Sequence, residues 1–281
     1  MRFPAVRLAL LCLLGPAAAF AASETPRETL PSTNAILGPG EAFGFQASWG
    51  IFPRAGRIDI SAAPPDGKTA ADERRVIVRI ASDGTIGRLH RYEAVGETLY
   101  ATDTGLMRSA SYRARAGSKN QQRALLFDYT ARVAHYTDAL EPARDATVAL
   151  PDGEPLDLVT SLVTARRWQL APGDTREILV QVDKKFYPLL LRAGAVETVR
   201  TRRGEFSALV ITPEPVGKPS GLFKRGGSLK IWIEDSPARL PLRVEVKGRF
   251  GTVTADLVDY SPPASASVSA TPAPASSAPS I

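Results

Sequence analysis

Residues 229–247 read Leu229-Lys230-Ile231-Trp232-Ile233-Glu234-Asp235-Ser236-Pro237-Ala238-Arg239-Leu240-Pro241-Leu242-Arg243-Val244-Glu245-Val246-Lys247, and apolar side chains recur in them at every second position. Successive residues of a strand point to opposite faces, so Leu229, Ile231 and Ile233 share one face and Lys230, Trp232 and Glu234 the other. Leu242, Val244 and Val246 repeat the pattern against Arg243, Glu245, Lys247 and Arg249, and Val253, Ala255 and Leu257 continue it after Gly251. One buried face and one wet face is what an antiparallel sheet allows. Working toward the N-terminus, the same alternation marks Phe43 to Trp49, Arg57 to Ala62, Arg75 to Ala81, Glu97 to Ala101, Ala124 to Tyr129 and Arg132 to Thr137. It continues in Arg176 to Val182, Phe186 to Arg192, and Val196 to Ile211 broken at Gly204. Turn residues separate these runs, as in Ser82-Asp83-Gly84 and Asp183-Lys184-Lys185.

One segment departs from the pattern. Leu156, Val159, Leu162 and Val163 recur at helical spacing, Pro155 suits a first turn, Arg166 and Arg167 suit a C-terminal end, and Pro172-Gly173 stops the run. The expected architecture is therefore mostly β: antiparallel sheet or sheets forming an open barrel or curved sandwich. One helix near residues 155–168 plugs the barrel or covers a sheet and buries its leucines.

The two ends of the chain have other compositions. Arg2 and Arg7, the apolar run Leu8 to Leu14, and Ala19-Phe20-Ala21 have the three parts of a secretory signal, with cleavage expected between Ala21 and Ala22. The run is broken by Gly15 and Pro16 and falls short of the roughly 20 apolar residues that span a bilayer, so an anchor is the weaker reading. Residues 1–21 are thus read as a signal peptide and 22–40, rich in Pro, Thr, Ser and Gly, as an extended lead-in. Residues 41–260 form a single β domain, and 261–281, in which 18 of 21 residues are Ser, Ala or Pro, a disordered tail. No transmembrane segment is expected in the mature chain.

The only cysteine, Cys12, lies in the signal, so the mature chain has no thiol for a disulfide, a metal or catalysis. Removing residues 1–21 takes away two arginines and no acid, leaving 33 basic against 29 acidic side chains, or +4. That mild excess does not argue for nucleic acid, though it permits attraction to anionic envelope surfaces.

Beyond the quoted stretch, three groups of residues carry a likeness: Leu156-Asp157-Leu158-Val159-Thr160-Ser161 with Leu170-Ala171-Pro172-Gly173-Asp174; Glu197-Thr198-Val199 with Gly204-Glu205-Phe206; and Phe250-Gly251-Thr252-Val253 to Leu257. Gly40-Glu41 to Trp49-Gly50, with Ala55-Gly56, adds an opening. In this order and spacing the chain, over about residues 40–260, resembles a family of exported bacterial proteins called domain-of-unknown-function family 3108. The resemblance implies an antiparallel β domain outside the cytoplasm and brings no activity and no catalytic residues. An open barrel like that of periplasmic lipid or lipoprotein carriers is an analogy of shape, and shape does not fix function.

Catalytic and metal-binding patterns are scarce. His90 and His135 stand alone, outside any H-x-x-x-H or H-E-x-x-H arrangement, and read as strand residues. Asp152-Gly153-Glu154 lacks the oxygen spacing of a calcium loop. Ser220 lies in a Pro/Gly loop without a neighbouring base, and Glu234 and Asp235 face opposite sides of a strand end. No cofactor is implied. Two features suggest binding instead. Arg108, Arg113, Arg115, Lys119 and Arg123 form a stretch without acids, suited to an anionic head group or phosphorylated glycan, although a solvated basic hairpin is the favoured account of it. Trp232 sits on the polar face of its strand, where it either lines a groove for acyl chains or sugar or is covered by another element.

The function expected from this inventory is that of an exported periplasmic or envelope protein, a non-enzymatic binding module for a lipid-like or anionic envelope ligand. Alternatives are a hydrolase of envelope glycan or ester substrates, which needs two carboxylates or a nucleophile and base in one pocket, and a structural protein pairing through a sheet edge.

Overall fold

The computed structural model describes residues 37–63, 69–70, 72–219, 223, 226–249 and 251–264. The signal with its Ala21/Ala22 cleavage point, most of the lead-in, Ser220, and residues 265–281 lie outside the described residues. Among the described residues fifteen strands form: β1 (Ala42–Trp49), β2 (Phe52–Ala62), β3 (Glu73–Ser82), β4 (Tyr92–Ala101), β5 (Met107–Ala116), β6 (Lys119–Asp128), β7 (Val133–Asp138), β8 (Ala146–Ala149), β9 (Pro155–Asp157), β10 (Thr175–Val182), β11 (Lys185–Thr201), β12 (Gly204–Pro215), β13 (Ser228–Glu234), β14 (Pro241–Gly248) and β15 (Gly251–Ser261). The described residues also include two short α-helices, α1 (Gly84–Leu89) and α2 (Leu158–Thr164), the latter running into a 3-10 turn at Ala165–Arg167, and a 3-10 turn at Pro142–Arg144.

All the strands belong to one sheet, ordered β8-β7-β6-β5-β4-β3-β2-β1-β15-β14-β13-β12-β11-β10-β9. Each half of the chain is a meander of adjacent antiparallel strands, and β1 joins the halves by pairing with β15 from Ala42↔Ser261 to Trp49↔Val253. Only β9 pairs in parallel, placing Pro155, Leu156 and Asp157 beside Leu179, Val180 and Gln181. β8 and β9 end the sheet without pairing with each other, so the expected open architecture holds and the barrel is not closed.

Register fixes which side chains share the inner face. One row crosses six strands as Ile60, Val78, Gly96, Tyr112, Arg123 and Asp138, each opposite the next. The next row inward is Ala62, Val76, Thr98, Ala110, Leu125 and Tyr136. Phe43, Phe45, Ile60, Val76, Tyr100, Met107, Tyr136 and Leu257 are buried in the larger apolar cluster. Leu191, Leu209, Ile211, Ile231 and Ile233 form a second one, packed against Ala165 and Trp168 of the segment that follows α2. Leu37, within the stretch read as lead-in, is fully buried.

The helix differs from expectation in start and in contents. Pro155–Asp157 is strand, because it pairs with β10, and Asp157 caps the helix by accepting from Val159 N and Thr160 N, both at 3.0 Å. Its buried residues are Thr160, Ser161, Val163 and Thr164 rather than leucines; Leu158 is 44% exposed. The hydroxyls are satisfied internally, Thr164 Oγ1 donating to Thr160 O and Ser161 Oγ to Leu158 O, both at 2.7 Å. The turn expected at Ser82-Asp83-Gly84 becomes the N-cap of α1, and His90, read as a strand residue, is that helix's exposed C-cap.

Candidate ligand cavity

Between the inner faces of β3 to β6 and the β9–α2 junction lies a cavity of about 380 Å³. Protein interiors are close-packed, so a void of this size has to be made by the sequence. It is made here by small residues at inward positions of adjacent strands, Ala94 and Gly96 of β4 and Ala110 of β5. Val78, Ile80, Leu125, Leu158 and Val159 complete an apolar wall. The volume falls at the small end of ligand-binding cavities, roughly 300–1,000 Å³.

Polar groups sit at two places on this wall. On the inner side, Asp157 Oδ2 accepts from the hydroxyls of Tyr100 and Thr160 and from Thr98 Oγ1 at 3.4 Å, while its other oxygen caps α2. Tyr100 is 1% exposed, and burial, reinforced by the Asp157 charge, pushes its phenol well above the usual range. At the rim, Arg123 lies 3.4 Å from Asp138 and 3.3 Å from Asp183, and Arg144 reaches the same two carboxylates at 3.5 Å. Asp183 comes from the β10–β11 turn, where Lys184 Nζ sits 5.2 Å over the Tyr136 ring. Burial pushes the Asp138 carboxyl up, but the N–H groups of Leu140 and Glu141 and the two guanidiniums together hold it below the ordinary 3.8. The Tyr92 and Tyr112 hydroxyls are 2.6 Å apart, Tyr112 lining the cavity.

The residues singled out by sequence do not come together. The basic stretch is divided by the pleat: Arg123 points inward to the cavity rim, whereas Arg113 and Arg115 are exposed on the other face of the sheet. Arg113 faces Glu97 at 3.5 Å, and Arg115 Nε donates to Gly117 O at 3.5 Å. Arg108, at the opposite end of β5, is bound to Asp72 at 2.5 Å and Glu73 at 3.0 Å. Lys119 is exposed at the β5–β6 turn. The five basic side chains are thus spread over both faces and both ends of the β5–β6 hairpin rather than gathered at one place. Trp232 does not line a groove either. It is 7% exposed, packed in the larger cluster with Val199, Ala208 and Val210, and its indole N–H donates to Glu197 Oε1 at 2.6 Å.

Sequence reasoning passed over Asp157, Asp138 and Asp183, and the small residues of β4 and β5. Asp157 carried a signal, an Asp immediately before a helical run. The alanines and glycine did not, since nothing local distinguishes a small residue that packs from one that leaves space. His135 is an exposed residue of β7, its Nδ1 3.1 Å from Thr147 Oγ1. Among the described residues no group of three or more His, Cys, Asp or Glu could hold a metal ion.

The sequence pattern of a family described as protein of unknown function (DUF3108) matches residues 45–258. The chain belongs to this family. Among solved structures, the crystal structure of a beta-barrel-like protein of domain of unknown function DUF1849 from Brucella abortus is similar. The TM-score is 0.51 at 6% sequence identity, over 80% of this chain and 98% of that one. At that identity the likeness is one of fold, consistent with the sheet of the DUF3108 domain described above. Comparison with curated proteins gives no match. No helix among the described residues is long and apolar enough to cross a membrane.

Proposed function

We propose that this DUF3108 protein is an exported envelope component that holds a lipid-like, amphipathic molecule in the cavity under α2, without chemical change. The observation that carries the reading is the run of Ala94, Gly96 and Ala110 on adjoining strands, which leaves about 380 Å³ beside an apolar wall. An apolar tail gains about 0.8 kcal/mol per buried CH₂, so such a space favours a chain or ring system over a sugar. The polar rim suits the other end of the molecule. Arg123 and Arg144 share Asp138 and Asp183 there, and a ligand's anionic or hydroxyl group can exchange into that cluster.

The hydrolase reading draws less support, because the two carboxylates on the cavity wall already have partners. Asp157 caps α2 and takes three hydroxyl donors, and Asp183 faces two arginines. Pairing through a sheet edge has little to work with in β8 and β9, which are four and three residues long.

Native mass spectrometry of the protein purified from its native envelope, followed by delipidation and loading with oleate or dansylated undecanoate, tests the binding. A one-to-one complex is expected. Gly96→Phe is expected to abolish it while leaving the fold intact, because a Cβ there meets only Ser111 O at 3.8 Å and Val78 Cβ at 3.9 Å, and the ring then enters the cavity. If neither probe loads, or if Gly96→Phe binds as well as the parent, the proposal fails. Export rests on Arg2, Arg7, the run Leu8 to Leu14 and Ala19-Phe20-Ala21, and N-terminal sequencing of the product tests it: the first residue should be Ala22.

A further inference from the structure

One end of the sheet concentrates exposed apolar side chains. The two most exposed large ones among the described residues are Ile51, at 89%, and Leu89, at 77%. They belong to different elements, the β1–β2 turn and α1, which the register brings to the same end. Gly56 of β2 lies opposite Ser82, the residue from which α1 departs, and Arg54 binds Asp83 at 3.0 Å. Trp49 pairs with Val253 beside the β14–β15 turn, and Gly117 N of the β5–β6 turn donates to Arg91 O just past α1. Val182, the last residue of β10, is exposed as well.

Charge at this end follows the same asymmetry. Among its acids, Asp83 faces Arg54, Glu93 faces Arg91 at 2.7 Å, and Asp183 shares Arg123 and Arg144 with Asp138 and Glu141. Arg88, Arg115, Lys119 and Lys247 are exposed around the apolar tips and supply a positive surplus. Cations alone do not single out this end, since Arg202 and Arg203 are exposed at the β11–β12 turn, at the opposite one. The coincidence of cations with protruding aliphatic side chains does. Aliphatic tips gain by entering the acyl boundary, and surrounding Lys and Arg gain from anionic head groups.

We infer that this end docks onto an anionic lipid bilayer, with Ile51 and Leu89 inserted and Arg88, Arg115, Lys119 and Lys247 against the head groups. The cavity rim, with Gln121 of β6 and Asp183, faces the same end, so docking would bring the rim near the membrane. The inference needs no ligand in the cavity and stands or falls separately from the binding proposal.

Vesicles of phosphatidylglycerol and phosphatidylcholine, carrying brominated acyl chains, test it with the purified protein. Of the three tryptophans, Trp168 and Trp232 are buried and Trp49 is at the proposed contact, so bromine quenching reports on this end. Expected are quenching that Trp49→Phe abolishes, weakening with added salt, and little quenching on phosphatidylcholine alone. Ile51→Glu with Leu89→Glu should lower partitioning at least about tenfold, since each side chain loses a burial of the size that aliphatic residues gain. Ile51→Ser with Leu89→Ser is the milder pair should the first not fold. Arg202→Glu with Arg203→Glu, at the far end, should leave quenching unchanged. Absence of quenching on anionic vesicles at low salt overturns the inference. So does a far-end variant that loses as much as the apolar pair, or capture of a protein partner through Ile51 and Leu89 without any vesicle binding.

Discussion

Asp157 shows how much one side chain can hold. It ends β9, caps α2, and receives the hydroxyls of Tyr100 and Thr160, so strand, helix and inner sheet face meet on one carboxylate. Asp157→Ala removes the cap and leaves buried hydroxyls unpartnered, with an expected loss of about 2–4 kcal/mol. Asp157→Asn keeps an acceptor for the two backbone N–H groups and should lose about half as much. Urea unfolding of both variants checks the order, and equal losses would refute the capping role. At this scale the sequence was legible where local alternation alone decides burial. The apolar alternation of Leu229, Ile231 and Ile233 follows from local pattern alone, and the structure buries all three. The burial of Trp232 depends on Glu197 and Val199, more than thirty residues away, which no local pattern contains.

The segment after α2 is fastened to the sheet by a buried ion pair. Arg166 Nη2 donates to Glu41 Oε1 at 2.6 Å, Tyr260 OH donates to the same oxygen at 3.0 Å, Gly38 N donates to Oε2 at 2.9 Å, and the guanidinium lies 5.1 Å over the Phe43 ring. Glu41 is 1% exposed. Breaking such a pair strands a buried charge, so Glu41→Ala or Arg166→Ala should each cost about 3–5 kcal/mol, whereas Glu41→Met with Arg166→Met should cost less than either. Chemical denaturation of the three variants decides it; an additive double variant would mean that the two charges do not act as a unit. Elements were read best where large aliphatic residues alternate, as in β13 to β15. β5 escaped because its inward residues are Ala110, Tyr112 and Ala114 and its outward ones Ser and Arg, which leaves little contrast in hydrophobicity. β9 escaped because three residues make no period, and its parallel pairing with β10 depends on the chain returning after α2.

At the scale of the whole molecule, a sheet that does not close must bury its inner face by curvature and by covering segments, and tyrosines do much of that covering. Five of the seven, Tyr100, Tyr112, Tyr129, Tyr136 and Tyr260, have phenols raised above the ordinary 10.0, each chiefly by burial, Tyr129 and Tyr136 to about 12. They come from β4, β5, β7, β15 and the β6–β7 turn, so the shift is a property of the enclosed face rather than of one site. A group whose folded pKa lies above its unfolded value binds its proton more tightly in the folded state. The stability it contributes is complete below pH 10 and is lost as pH rises through the folded value. With five such groups the losses fall in one window, beginning near pH 10 and extending past 12, and unfolding should become steeply favourable within it. Tyrosinate absorbance on alkaline titration is therefore expected to rise cooperatively and together with loss of the β circular dichroism signal. Tyr136→Phe should move that transition to higher pH. A gradual absorbance rise centred on pH 10, with the β signal intact, would show that these phenols reach solvent in the folded protein, and the inner face of the sheet would then be open rather than covered.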